Sequence, residues 1–279
     1  MADLVITTVQ DLVDLSEGVY GHGTSSAYLE VELGNDIDFA DYTPNYNWGG
    51  CTGTWYINFD GKGHKIDNVY YTGSAAWYFF NTLADLSTVK NVTLSNIYIM
   101  TSGTVATFNA VNNDIENVHV SGVYQATNST VTGMIYSINN SRCEVRNCGF
   151  SGRLLASSEV AGLNYTGRYG SLHNCYVIAD FVGSAIHGFS RAGRTVTNSF
   201  VRGTFSTTGN ANLFGSSVTA TTCYGAISAS NQNISASGNN CYYDSTLATA
   251  GNFTVSGITG ASTTDLKSKQ WLLDHYFAA

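Results

Sequence analysis

The residues able to do chemistry in this chain are few and dispersed. Its six cysteines are Cys51, Cys143, Cys148, Cys175, Cys223 and Cys241. They form no C-x-x-C pair and no Cys/His group with zinc spacing, so a metal centre is not expected. Asp36, Asp38 and Asp41 cluster, but the glycine and distal glutamate of a calcium loop are missing. Glycoside cleavage needs two carboxylates about 5–10 Å apart across a groove. The mid-chain acids Asp114, Glu116, Glu144, Glu159 and Asp180 share no evident column. Nucleophile-elbow, phosphate-loop and zincin motifs are absent. The expectation is a protein with no enzymatic activity and no cofactor, with a polysaccharide depolymerase as the enzymatic alternative. His64 is expected to make a structural hydrogen bond.

Binding chemistry is better represented. Tyr176, Phe200, Tyr224 and Tyr242 recur at one position of four successive repeat units. Their neighbours read as inward-facing, so these four should face outward as a glycan-binding or subunit-interface strip. Residues 1–60 hold ten acids and no Lys or Arg, whereas residues 142–202 hold seven Arg and three acids. The acidic end, with Glu30, Glu32, Asp36 and Asp38 as its centre, reads as a docking face for a basic partner.

A repeat must position these groups. The units IDNVYY, VKNVTL, IENVHV, VRNCGF, LHNCYV and VTNSFV, then TTCYGA and NNCYYD, share an anchor. It falls at Asn68, Asn91, Asn117, Asn147, Asn174, Asn198, Thr222 and Asn240, at spacings of 23, 26, 30, 27, 24, 24 and 18. Two residues before it the position is apolar, from Ile66 through Val196 to Ala220. One residue after it stand Val69, Val92, Val118, Cys148, Cys175, Ser199, Cys223 and Cys241, all small. One before it stand Asp67, Lys90, Glu116, Arg146 and His173, which suggests a cross-rung column of ion pairs. A second apolar anchor lies upstream at Phe80, Phe108, Ile135, Leu163, Phe189 and Phe214.

Short alternating strands with corners and no helical period describe a rung of a β-solenoid, stacked at about 4.8 Å. The asparagines would then form a structural ladder of amides. The single proline fits, because each rung's N–H groups must pair with a neighbouring rung. Small residues account for the cysteine column without disulfides, and free thiols imply synthesis in a reducing cytoplasm. The reading is all-β, a right-handed parallel β-helix with short helical caps at both ends. One structural domain is expected, with an entry cap and first strands in 1–60, rungs in 61–245, and a final strand and cap in 246–279. Thr8 is the expected N-cap of the first helix. The last helix should open near Thr264 and run to about Leu273, with Trp271 as a lid.

Composition closes off other classes. Charged residues are 11% and hydrophobic residues 43%, which argues against disorder. The net charge of −8 argues against a nucleic-acid partner. No apolar run approaches a membrane span, and the first residues lack a secretion signal.

The stretch NFDGKGHKIDNVYY, the segment Asn212-Leu213-Phe214-Gly215 and the exit Cys241-Tyr242-Tyr243-Asp244 resemble GLUG-type repeat proteins. That resemblance covers nearly the whole chain, although GMIY, AGLN and HGFS are degenerate versions of its rung motif. It implies right-handed parallel β-helix proteins of bacterial surfaces and phage virions, and it carries no catalytic residues. The expected function is a non-enzymatic phage virion surface protein: a tail spike, fibre or capsid decoration that docks on the particle. Expected partners are other virion proteins, a homo-oligomer such as a trimer, and host surface polysaccharide. The alternative is an exported adhesin on the bacterial cell surface.

Overall fold

The structure, a computed structural model, describes residues 2–43, 45–167, 170–192, 194–229, 234–247 and 253–267. It is a parallel β-solenoid of about eight turns, with 60% of residues in strands and 6% in helix. Among the described residues every pairing between strands is parallel, as stacked rungs of one coil require, and an isolated bridge from Thr24 to Ala27 is antiparallel. Each turn visits three columns. The first stacks Leu29–Leu33, Ile57–Asp60, Glu144–Arg146, Ser171–His173, Thr195–Thr197 and Thr219–Thr221. Between Ile57–Asp60 and Glu144–Arg146 it is continued by the first residues of Thr88–Thr101 and Ile115–Ala126. The second takes the remainder of those two long strands, then Gly149–Ala156, Tyr176–Gly183, Phe200–Thr207 and Tyr224–Ala229. The third begins with Cys51–Trp55, Trp77–Leu83 and Val105–Val111.

The corner between the first and second columns is made by the anchor residues. Asn91, Asn117, Asn147, Asn174, Asn198, Thr222 and Asn240 all sit at φ between 49° and 54°. This is the left-handed region, which asparagine tolerates better than most side chains. The bend explains why the alternation of inward and outward residues changes phase at each anchor.

Two alignments differ from the sequence reading. Ile66 pairs with Leu94 and Asp67 with Ser95, so Asn68 stands below Asn96 in the second column and not below Asn91. A turn at Lys62 and Gly63, both at positive φ, carries the chain from the first column to the second within residues 60–65. Asp60, not Asp67, therefore precedes Lys90 in the charged column. The second apolar anchor also slips by one. Phe80, Phe108 and Ile135 continue to Asn164, Ser190 and Gly215, while Leu163, Phe189 and Phe214 lie one residue earlier. Both positions of each pair are inward-facing or buried at this corner, so hydropathy alone did not separate them.

The interior of the described residues is mostly apolar. At the N-terminal end Trp48, Trp55, Phe59, Phe79 and Phe80 interlock edge to face. Helix α1, Val9–Ser16, covers that end with Val9, Leu12, Val13 and Leu15. Thr8 caps it: its hydroxyl accepts from the Asp11 N–H, and the Asp11 carboxylate accepts from the Thr8 N–H. At the other end a strand, Phe253–Ala261, pairs with Ile234–Asp244 and leads into α2, Thr263–Lys267. The expected extension to Leu273 and the Trp271 lid lie outside the described residues.

All six cysteines are buried and unbridged. In the column after the anchor the side chains also serve the backbone. Cys148 Sγ accepts from the Val118 N–H at 3.4 Å and donates to the Arg146 carbonyl at 3.1 Å. Ser199 Oγ does the same for Cys175 N–H and the Thr197 carbonyl, at 3.0 and 2.7 Å. The corner interrupts the rung-to-rung ladder, and a small polar side chain from the next rung replaces the missing partner.

Candidate functional site

Strand register brings Tyr176, Phe200, Tyr224 and Tyr242 together as four consecutive neighbours along the second column. The preceding positions are Gly149 and His119. A side chain at Gly149 would meet the Tyr176 ring at 2.3 Å, so glycine lets that ring lean across the rung. Tyr176 thereby stacks on His119, with centroids 5.7 Å apart and planes 19° apart, and its hydroxyl lies 3.3 Å from His119 Nδ1. On its other face it stacks on Phe200 at 5.8 Å and 17°. All four rings are half-buried rather than fully exposed. Burial raises the Tyr176 phenol, pushes Tyr224 up to about 12 and lowers His119, so the strip is uncharged near neutral pH. Ile178, 41% exposed, and Val182 flank it, with Arg153 and Arg202 exposed beside them.

This geometry selects among ligands. Sugars stack on free ring faces, yet both faces of Tyr176 are taken by its neighbours. Among the described ring contacts the column is stacked from His119 through Tyr176 to Phe200. His119 escaped the sequence reading because it falls two rungs before the first aromatic, across a glycine.

The acidic residues are placed at the N-terminal turns, but their carboxylates are engaged. Glu30 accepts from Asn58 Nδ2 at 2.6 Å, and Glu32 pairs with Lys62 at 2.8 Å. Asp36 accepts from the Lys65 N–H and faces His64 Nδ1, both at 3.1 Å. The Lys65 N–H, then His64 and Lys65 charges, hold its carboxyl below the usual range. Asp38 accepts from Asn68 Nδ2 at 2.7 Å and the Ala40 N–H at 2.9 Å. Lys62 and His64 come from the inserted turn and Asn68 from just after the strand that follows it, and they tie these acids into the solenoid.

The asparagine ladder is linked by hydrogen bonds from Asn117 to Asn91, 2.9 Å, and from Asn174 to Asn147, 3.2 Å. Asn147, Asn198 and Asn240 share their corner geometry, while Asn68 instead bonds Asp38. Three of the mid-chain acids come together, contrary to the sequence reading, while Glu159 and Asp180 lie in other columns. Asp114, Glu116 and Glu144 all converge on the Arg146 guanidinium, with Asp114 at 3.2 Å and Glu116 at 4.0 Å. A cation between the carboxylates makes this an ion-pair cluster, not an acid/base pair across a groove.

A further polar cluster on the third column was not foreseen. Glu159 accepts from Arg191 and from the Tyr165 hydroxyl, and lies 3.8 Å from His187 Nε2. Arg191 covers one face of Tyr165 and Tyr136 the other. His187 Nδ1 faces the Ser216 hydroxyl at 3.1 Å. Burial depresses His187 to about 4, too weak a base for general-base work near neutrality. Among the described residues no group of three His, Cys, Asp or Glu is placed to hold a metal. Likewise no described helix is long and apolar enough to cross a membrane.

No family model matches the chain, and no curated protein does. Two solved structures share its fold. One, provisionally described as an immunoglobulin A1 protease from Bacteroides ovatus, is 17% identical with a TM-score of 0.59. The alignment covers 97% of this chain and 86% of that one. The other, described as an IgA1 protease, is 16% identical with a TM-score of 0.61. It aligns with 83% of this chain, which spans about a fifth (21%) of that longer protein. At these identities the likeness is one of fold, a parallel β-helix.

Proposed function

We propose that this chain is a non-enzymatic surface rod that packs its aromatic strip against a neighbouring protein. The observation that carries this is the uncharged column His119–Tyr176–Phe200–Tyr224–Tyr242, on a face that also exposes Ile178 and Val182. The supporting observation is that the carboxylates of the N-terminal turns and of the Arg146 cluster are already partnered within the chain. The carrier is a phage particle in this reading, which rests on the resemblance of the rungs to GLUG-type proteins. A bacterial cell surface is the second reading, and the Bacteroides ovatus neighbour favours it. Replacing Tyr176, Phe200 and Tyr224 together with Ser should abolish incorporation into the particle or attachment at the cell surface while leaving the β-rich circular dichroism spectrum intact. Undiminished assembly of that variant would refute the strip as the contact. Mass spectrometry of purified particles against washed whole cells decides the carrier.

A further inference from the structure

The inward column Phe80, Phe108, Ile135 turns polar at Asn164 and Ser190, which are both fully buried. Their polarity serves Arg194, which enters the interior and is only 4% exposed. Arg194 Nε donates to Asn164 Oδ1 and Nη2 to the Thr166 carbonyl, each at 2.9 Å. Asn164 Nδ2 donates to the Ile135 and Thr166 carbonyls, each at 3.2 Å, and so fixes the amide with its oxygen toward Arg194. Both acceptors of the guanidinium are neutral. Its third nitrogen, Nη1, is buried and makes no hydrogen bond.

The charge has no counter-charge among the described residues. The titratable group that acts on Arg194 is Cys143, whose thiol donates to the Asn113 carbonyl at 2.9 Å and is pushed up to about 12 by burial. That thiol is neutral. Burial lowers Arg194 only to about 10, so the guanidinium stays protonated at neutral pH. A buried cation held by neutral acceptors alone is costly, by several kcal/mol even after relaxation. Gly167 lets the chain pass close to the guanidinium: a side chain there would stand 2.8 Å from Nη2 and 2.1 Å from the Ile138 carbonyl.

We propose that Arg194 Nη1 binds a small monovalent anion of chloride size inside the solenoid, at the rungs of Asn164 and Ser190. The site lies away from the aromatic strip and is independent of the surface role.

Two measurements on the whole protein test this. Melting in sodium chloride or bromide should exceed melting in sodium gluconate of equal ionic strength by a few degrees, roughly, with saturation. Arg194→Met should lose that dependence, and Arg194→Lys should weaken it. Should Arg194→Met fail to fold, bromide decides on the wild type. Crystals grown in bromide should show anomalous density within hydrogen-bond reach of Nη1. Absence of that density at saturating bromide, with halide and gluconate melts superimposed, overturns the proposal in favour of a water at Nη1.

Discussion

The N-terminal and C-terminal turns meet the same backbone demands with different side chains. In the outward column beside the corner, the first turns place Glu32, Asp60, Lys90, Glu116 and Arg146 in register. The later turns place His173, Thr197 and Thr221 there, with His173 hydrogen-bonded to Thr197. In the inward column after the corner, Val92 and Val118 give way to Cys148, Cys175, Ser199, Cys223 and Cys241. The corner itself hardly changes, with φ between 49° and 54° throughout. The repeat is therefore conserved in backbone geometry, while in these two columns the side chains pass from ionic and aliphatic to hydroxyl and thiol.

The largest expected effect tests whether both halves belong to one stack. Val118 is fully buried where the two chemistries meet. Val118→Asp would place an unpaired charge between rungs, a cost above about 4–5 kcal/mol. A single cooperative loss of structure across the chain is expected, read by circular dichroism and hydrogen exchange. Protection surviving in one half alone would show that the halves fold separately.

The halves should next differ in acid sensitivity. His187, 5% exposed, is held near 4 by burial, well below its ordinary 6.5. The unfolded chain binds its proton first, so stability falls as pH drops from about 6.5 to about 4, by on the order of 3 kcal/mol. In the N-terminal turns Asp67 works lower on the scale. Burial alone would raise its carboxyl, but Lys65, Ser95 and Asn96 together hold it below its ordinary 3.8. Its contribution is present above that value and is lost as pH falls further. Melting curves should thus decline in two steps, and His187→Gln should shrink the first, to which His119 also contributes, while sparing the second.

The rungs and corners were legible in sequence because each turn repeats an asparagine with apolar residues at fixed offsets. What escaped was register. Asn68 carries the same local signature as Asn91, and only pairing across turns shows that the inserted Lys62–Gly63 turn moves it to another column. The aromatic strip was legible as four residues but not as a stack, since His119 joins it through space across Gly149. Arg194 left little trace, because a lone arginine beside a loop reads as surface until Asn164 and Ser190 are placed in the interior column.

A finer test concerns the polar side chains of the later turns. Ser199 Oγ accepts the Cys175 N–H inside the stack. Ser199→Ala leaves that N–H unpaired and should cost about 1–3 kcal/mol. Ser199→Cys should recover most of it, since Cys148 performs the same task one rung before Cys175. Equal losses in both variants, by urea denaturation, would show that packing and not hydrogen bonding selects this column.

The smallest effect belongs to the ion pairs that set the first turns apart. Lys62, Lys90 and Arg146 lie at the surface and bridge Glu32, Asp60, Asp114 and Glu116 at 2.8 to 4.0 Å. Surface pairs contribute at most about 1 kcal/mol each, and salt screens them over about 8 Å at physiological strength. Arg146 differs from the two lysines because it separates three carboxylates that would otherwise repel across adjacent rungs. Arg146→Gln should therefore cost more than Lys90→Gln at low salt. Added salt should close the gap, because it screens the uncovered repulsion in one variant and the attraction in the wild type. Thr197→Val, in the same column of the later turns, should show no such salt dependence, since no charge is removed. A gap between the Arg146 and Lys90 variants that persisted in molar salt would mean that Arg146 stabilises through the packing of its stem across the rungs.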